Sequence, residues 1–255
     1  MKQPPLAAYR TRRDRECRLT PNLALKSLDQ AAEFLADRGM LTRMPDSALP
    51  SLFGACHERP GRPGGRGFDL WPRTKWIWSF QLTQRPRTLL TKLHKGKSLY
   101  LSFDVAQFLD PLVRESIARA TGDDAEFLAH LSKHGPSTLD DLQVELGWDR
   151  KRLNQVRDRL QRVGAVIGNG LVFEDESSWF FAPMRRWDQL FKKPAAVKRP
   201  HHDLVMAGMR AAVLVPEEDV KHWFSWPVPA AVLDNLVDEG RLVRPAPRWL
   251  AIPDN

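Results

Sequence analysis

Residues 149–163 read Asp-Arg-Lys-Arg-Leu-Asn-Gln-Val-Arg-Asp-Arg-Leu-Gln-Arg-Val, and no other segment restricts the fold as much. Leu153, Val156, Leu160 and Val163 recur at helical spacing and share a sector of about 80° on the wheel. The segment must therefore be a helix that buries a narrow apolar stripe and keeps a basic and amide surface elsewhere. Upstream, Phe127, Leu128 and Leu131 mark a helix over 125–133, which Gly135-Pro136 stops. Ser137 and Thr138 then cap a short helix over 139–146, whose Asp140 and Asp141 suit the helix dipole. Gly147-Trp148 turns the chain, and Asp149 caps the basic helix. Downstream, residues 165–173 hold two apolar runs about Asn169-Gly170, a dipeptide that favours tight hairpins. Helices around a turn followed by a hairpin are the layout of a winged helix, and a basic helix in that position points to nucleic acid.

The layout recurs along the chain. Ser27 caps a helix over 27–40, with Gln30 in capping-box register and Gly39 at its end. A short helix is expected near 48–55, and an aromatic helix over 75–84. Residues 88–102 read as strand–turn–strand with the basic tip His94-Lys95-Gly96-Lys97. A Gly/Pro/Arg loop over 58–67 interrupts this unit. Near the C-terminus, Leu204 to Val213 form a helix and Pro216 opens a second. Ala230, Leu233, Leu236 and Val237 stripe a third, and 241–244 pairs with 248–252 as a hairpin. The expected fold is mainly α with small β-hairpin wings (α+β), built as tandem winged-helix (helix-turn-helix) modules. Its divisions are a basic arm at 1–26, an N-terminal module at 27–120, a central winged helix at 121–176, a connector at 177–202 and a C-terminal winged helix at 203–255. The arm, with Arg10, Arg12, Arg13, Arg15 and Arg18, is expected to be disordered when free and to lie along phosphate when bound.

The chain has 255 residues, 42% of them hydrophobic, which is enough for a packed core. Its net charge of +8 favours phosphate-rich or anionic-surface partners, and with the basic helix and the wing the expected partner is double-stranded DNA. Cys17 and Cys56 do not make a disulfide framework, so a reducing compartment is expected. There is no apolar signal core and no membrane-length apolar run, so the expected location is cytoplasmic, without membrane contact.

On the basic helix, the face opposite the apolar stripe carries Lys151, Asn154, Gln155, Asp158 and Arg162. Arg150 and Arg157 flank it on one side, Arg152 and Arg159 on the other. Lys and Arg suit phosphate, whereas Asn and Gln can pair with base edges. Asp158 opposes deep groove insertion. Lys95 and Lys97 at the hairpin tip, with Arg62 and Arg66 in the loop, are further candidate phosphate contacts. Trp71, Trp76 and Trp78 lie among basic residues and suit either base stacking or core packing. The third C-terminal helix exposes Asp234, Asn235, Asp238 and Glu239. That face repels phosphate and suits a brace or a protein contact, so a non-enzymatic regulator or protein-interaction module is the alternative function.

Three segments carry a resemblance to a known family. They are Gly39-Met-Leu with Asp46-Ser, the aromatic block with its basic hairpin, and Val220-Lys-His-Trp-Phe with residues 230–242. In pattern and order they resemble the AlkZ/YcaQ-like winged-helix DNA glycosylase superfamily, over most of the chain beyond the arm. The resemblance implies a concave basic DNA channel, a link to repair of alkylated or crosslinked bases, and N-glycosidic bond hydrolysis without metal or cofactor. Chemistry in that family rests on a Gln-x-Gln or Gln-x-Asp pair just after the first helix. The matching stretch here, Leu41-Thr-Arg-Met-Pro-Asp46, contains no Gln and leaves Asp46 as the catalytic candidate. No metal site is apparent: Cys56-His57 lacks a second pair, His201-His202 lies in a linker, and His94, His130 and His134 are scattered.

Overall fold

The computed structural model describes residues 4–168, 170–173 and 179–253. It is a mixed α/β structure with small antiparallel sheets. Helix α1 (Leu6–Glu16) opens the chain. The first unit comprises α2 (Leu28–Arg38), β1 (Met40–Thr42), α3 (Leu52–Cys56), a helical run over 75–84 that includes α4 (Trp78–Gln81), and the hairpin β2 (Thr88–His94) and β3 (Lys97–Ser102). Helix α5 (Phe103–Ala118) follows and passes through Pro111 without a break. The central unit holds α6 (Gly122–His134), α7 (Leu139–Leu146) and α8 (Arg150–Arg162). An antiparallel ribbon completes it: β4 (Val166–Ile167) and β5 (Leu171–Phe173) against β6 (Trp179–Phe181) and β7 (Arg185–Arg186). After α9 (Trp187–Leu190) comes the last unit, α10 (Pro200–Ala212), β8 (Leu214–Pro216), α11 (Glu217–Val220), α12 (Ala230–Asp238), β9 (Val243–Ala246) and β10 (Trp249–Ala251).

These units share one connectivity. In the first, β1 pairs with β3, the last strand, giving the order β1-β3-β2. In the last unit β8 pairs with β10, giving β8-β10-β9. In the central unit a single bridge does the same work: Ser137, between α6 and α7, exchanges backbone hydrogen bonds of 2.8 and 2.9 Å with Met184, just before β7.

The local reasons are legible. Ser27 accepts from the Gln30 N–H and Gly39 takes the left-handed conformation that ends α2. Thr138 and Asp141 cap α7 reciprocally, and Asp149 accepts from the Arg152 N–H at the start of α8. Leu153, Val156 and Leu160 bury fully against Phe127, Leu131 and Leu142, each contributing about 1.5–3 kcal/mol. A second core runs from β2, β3 and α5 into α10 and the Trp223–Phe224 corner, so the first and last units share one interior.

Two expectations are corrected. Asn169-Gly170 does not turn a hairpin: Asn169 itself lies outside the described residues, but β4 and β5 do not pair with each other. Val166 faces Arg186 and Leu171 faces Phe181, so both strand pairs keep one register. Gly168, just after β4 at φ +104°, sits where an added Cβ would meet the Pro183 carbonyl oxygen at 2.5 Å, so both the conformation and the close approach require glycine. The return strand, β6 and β7, therefore comes from the segment read as a connector. The N-terminal arm is also not a loose strap. α1 packs Tyr9 beside Leu214 and Ala251. Arg13 donates to the Ala48 carbonyl and Arg18 to that of Leu23. Cys17 and Cys56 are free and buried, and burial pushes their thiols up to about 11 and about 12.

Glu16 anchors α1. It accepts from Arg12 at 2.8 Å and from Arg38 at 2.7 Å. Burial alone would raise its carboxyl, but the two guanidinium groups outweigh that and hold it below its ordinary value of 4.5. A carboxyl depressed by folding contributes stability that is present above its unfolded value and lost as pH falls through the folded one. Glu16→Gln should therefore lower the melting temperature at neutral pH and narrow the difference from wild type as pH drops below about 4.5. Melting curves across that range check this; a constant difference would contradict it.

Candidate nucleic-acid interface

The basic helix and the basic hairpin meet. α8 packs against β2, and Arg162 folds over the hairpin tip, where a Cβ added to Gly96 would lie 3.1 Å from Arg162 Nε. Lys95 and Gly96 both adopt positive φ at this tip, at 51° and 87°. Between hairpin, helix and ribbon lies a cleft of about 390 Å³. Its cationic wall is Arg43, Lys92, Arg157 and Arg162, against one carboxylate, Asp158, which is already paired with Arg157 at 2.7 Å. Its aromatic wall is Phe68, Trp71, Phe80 and Phe181.

Each wall is built by the fold. Arg43 leaves the end of β1 with its guanidinium 4.8 Å from the Trp71 ring centre and 5.5 Å from that of Phe80. It also donates to Tyr100 Oη at 3.3 Å, and that buried hydroxyl donates in turn to the Ser79 carbonyl at 2.8 Å. The loop after Glu58 closes on itself through Gly61 N–H to Trp71 O and Arg62 N–H to Asp69 O. This sets Phe68 edge-on to Trp71 at 4.5 Å and leaves Phe68 75% exposed. Phe181 arrives on the ribbon, half exposed. Burial, with the Arg43 charge nearby, pulls the Lys92 ammonium below its ordinary value. Arg43 held against π faces, with Lys92 in the same cleft, favours an anion that carries a planar group.

The predicted residues divide. Arg157, Arg162 and Trp71 line the cleft. Lys151, Asn154 and Gln155 continue the Asp158–Arg162 face toward the start of α8, and Lys151 and Gln155 are exposed. Arg62 and Arg66 stand exposed on the loop that carries Phe68. Asp46 and Lys97 pair at 2.6 Å in a recess that shares Arg43, Trp71 and Lys92 with the cleft. The remaining candidates serve other contacts. Arg150 pairs with Asp140 at 2.7 Å, and Lys95 meets His222 Nδ1 of the last unit at 2.7 Å. Trp78 packs on the core beside α2 and α3, and Trp76 lies edge-on to Phe80 at 6.2 Å. The flanking Arg152 and Arg159 are tied to Asp123 and Asp124 of α6. Sequence reading missed Arg43, Lys92 and Phe181. Arg43 follows a short strand with no motif around it, Lys92 stands at an ordinary strand position, and Phe181 lay in the segment read as a connector.

On the last unit, Asp234 and Glu239 are partly neutralised by Arg244 and Arg199 at 2.7 Å each. That unit braces the hairpin: the Ser225 N–H donates to Leu93 O at 2.9 Å and His94 Nδ1 lies 2.8 Å from Trp223 O. Among the described residues, no helix is long and apolar enough to cross a membrane. The chain matches no protein-family model, and neither the curated proteins nor the solved structures contain a match to it.

Proposed function

We propose that this protein is a tandem winged-helix, DNA-binding protein. In this reading a duplex lies along the exposed face of α8 and the basic hairpin, and the aromatic cleft receives one unstacked base. The observation that carries it is the convergence of Arg43, Lys92, Arg157 and Arg162 with Trp71, Phe68 and Phe181 around one cleft. The repeated connectivity, with a first short strand or bridge joined to the last, supports the winged-helix assignment of each unit. A cleft of about 390 Å³ suits a nucleotide rather than a helix, since ligand pockets run from about 300 to 1,000 Å³. Cations take the phosphates and rings stack the base, which is how sequence-tolerant binding is built.

Fluorescence anisotropy with a labelled duplex, and with the same duplex carrying one unpaired base, tests this. Binding should weaken linearly on a log–log plot against salt, with a slope of about −0.9 per phosphate contacted. The unpaired base should tighten it. Failure to bind either probe at low salt removes the proposal.

The geometry favours binding over excision. Asp46, the carboxylate in the adjoining recess, is held by Lys97 and lies 3.5 Å from His94 Nε2. Base excision linked to repair of alkylated DNA would require Asp46 to leave that pair. Incubation with alkylated duplex followed by alkaline cleavage decides this, with Asp46→Asn as the control. The regulator reading has one specific observation in its favour, the exposed Trp179 and Phe180 on the ribbon. Indifference to DNA together with co-purification of a protein partner, lost in Phe180→Ser, would replace the DNA reading with it.

A further inference from the structure

His130 and His134 stand four residues apart on α6 and so share a helical face. Their rings stack with centres 4.5 Å apart and planes at 11°. From α7, Glu145 brings a carboxylate oxygen to 2.9 Å from His130 Nε2. One donor atom from each of the three residues lies within 4.8 Å of the others. His130 is only 9% exposed, yet its Nε2 has no hydrogen-bond partner. The Glu145 oxygen is near enough but lies off the direction a hydrogen bond requires. A buried imidazole nitrogen left in this state is uncommon, and the space it faces is shared with a second imidazole and a carboxylate.

We propose that His130, His134 and Glu145 bind a divalent transition metal, Zn²⁺ foremost. Two imidazoles four residues apart on a helix and one carboxylate from a neighbouring helix make a donor set suited to Zn²⁺, with a position left for water. Ring rotation converts the stacked imidazoles into two nitrogens aimed at one point. None of the three residues lines the basic cleft, so the metal clamps α6 to α7 and stands apart from the DNA-binding proposal.

The tag-free full chain, stripped with chelator, is titrated with Co²⁺ and then with Zn²⁺. The expected result is visible Co²⁺ absorption of nitrogen and oxygen ligation, bleached by one equivalent of Zn²⁺, with a rise in melting temperature. His134→Ala and Glu145→Gln alter exposed side chains, so unchanged circular dichroism is expected, together with loss of Zn²⁺ affinity. That loss should exceed the roughly 10- to 100-fold cost of removing a residue that only hydrogen-bonds a ligand. Absence of Co²⁺ absorption, affinity unchanged in both variants, or intense thiolate charge-transfer bands that move the metal to Cys17 or Cys56 would each overturn the proposal.

Discussion

Replacing Asp110 with alanine should destabilise the protein by about 3–5 kcal/mol, the range for breaking a buried ion pair from one side. Asp110 sits on α5 and is 1% exposed. Its carboxylate accepts from Arg114 Nε at 2.8 and 2.9 Å, from Trp187 Nε1 at 2.7 Å and from the Ala195 N–H at 2.8 Å. Arg114 also donates to the Phe191 carbonyl. One side chain therefore joins α5 to the end of the central unit and to the segment that leads into the last unit. Alanine would leave the fully buried indole N–H without its acceptor, together with a half-buried backbone N–H and guanidinium. Asparagine would keep the shape but turn an amide NH₂ toward donors, so Asp110→Asn should recover only part of the loss. Urea unfolding followed by circular dichroism reads the effect as a lower midpoint at constant slope. A change under about 1 kcal/mol in Asp110→Ala would mean that the network is incidental.

How much of this was legible depends on the range of the signal. Caps, periodicity and turn residues act within a few positions, so Ser27, Gly39, Thr138, Asp149 and the Leu153–Val156–Leu160 stripe announced their helices. The hairpin at Lys95-Gly96 was equally local. The Asn-Gly signal misled for a physical reason. Glycine next to asparagine marks backbone freedom, and a chain can spend that freedom on a kink as well as on a reversal. At Gly168 the freedom serves a close approach to the Pro183 carbonyl. The arginines of the first helix looked like a free polycation because several of their acceptors are backbone carbonyls, that of Ile252 for Arg12 and that of Ala48 for Arg13. Backbone acceptors have no sequence signature. The cleft was invisible for a further reason. Arg43, Lys92, Trp71, Arg162 and Phe181 come from different elements and loops, and tertiary packing, that of α8 against β2 included, brings them together.

That packing makes the electrostatic test sharp. Arg157→Glu with Arg162→Glu should weaken duplex binding by about 100-fold at moderate salt and make the log–log salt slope shallower by about 2, because two phosphate contacts vanish. Arg162 stands on the exposed face of α8, whereas Arg157 flanks the buried Leu153–Val156–Leu160 stripe with a side chain only 18% exposed, so circular dichroism of the variant checks that the fold is kept. Phe68→Ala with Phe181→Ala should behave differently. These exposed rings carry no charge, so their loss should leave the salt slope unchanged. It should cost about 1–3 kcal/mol per stacked base on the probe with an unpaired nucleotide. The fully paired duplex, which offers no free base face, should bind the aromatic variant almost as well as wild type. The two variants thus separate the phosphate-gripping wall from the base-stacking wall within one cleft. If the charge reversal left affinity and slope intact, the polyanion would have to lie elsewhere on the molecule. If the aromatic variant lost both probes equally, the rings would be supporting the fold of the loop and ribbon rather than holding a base.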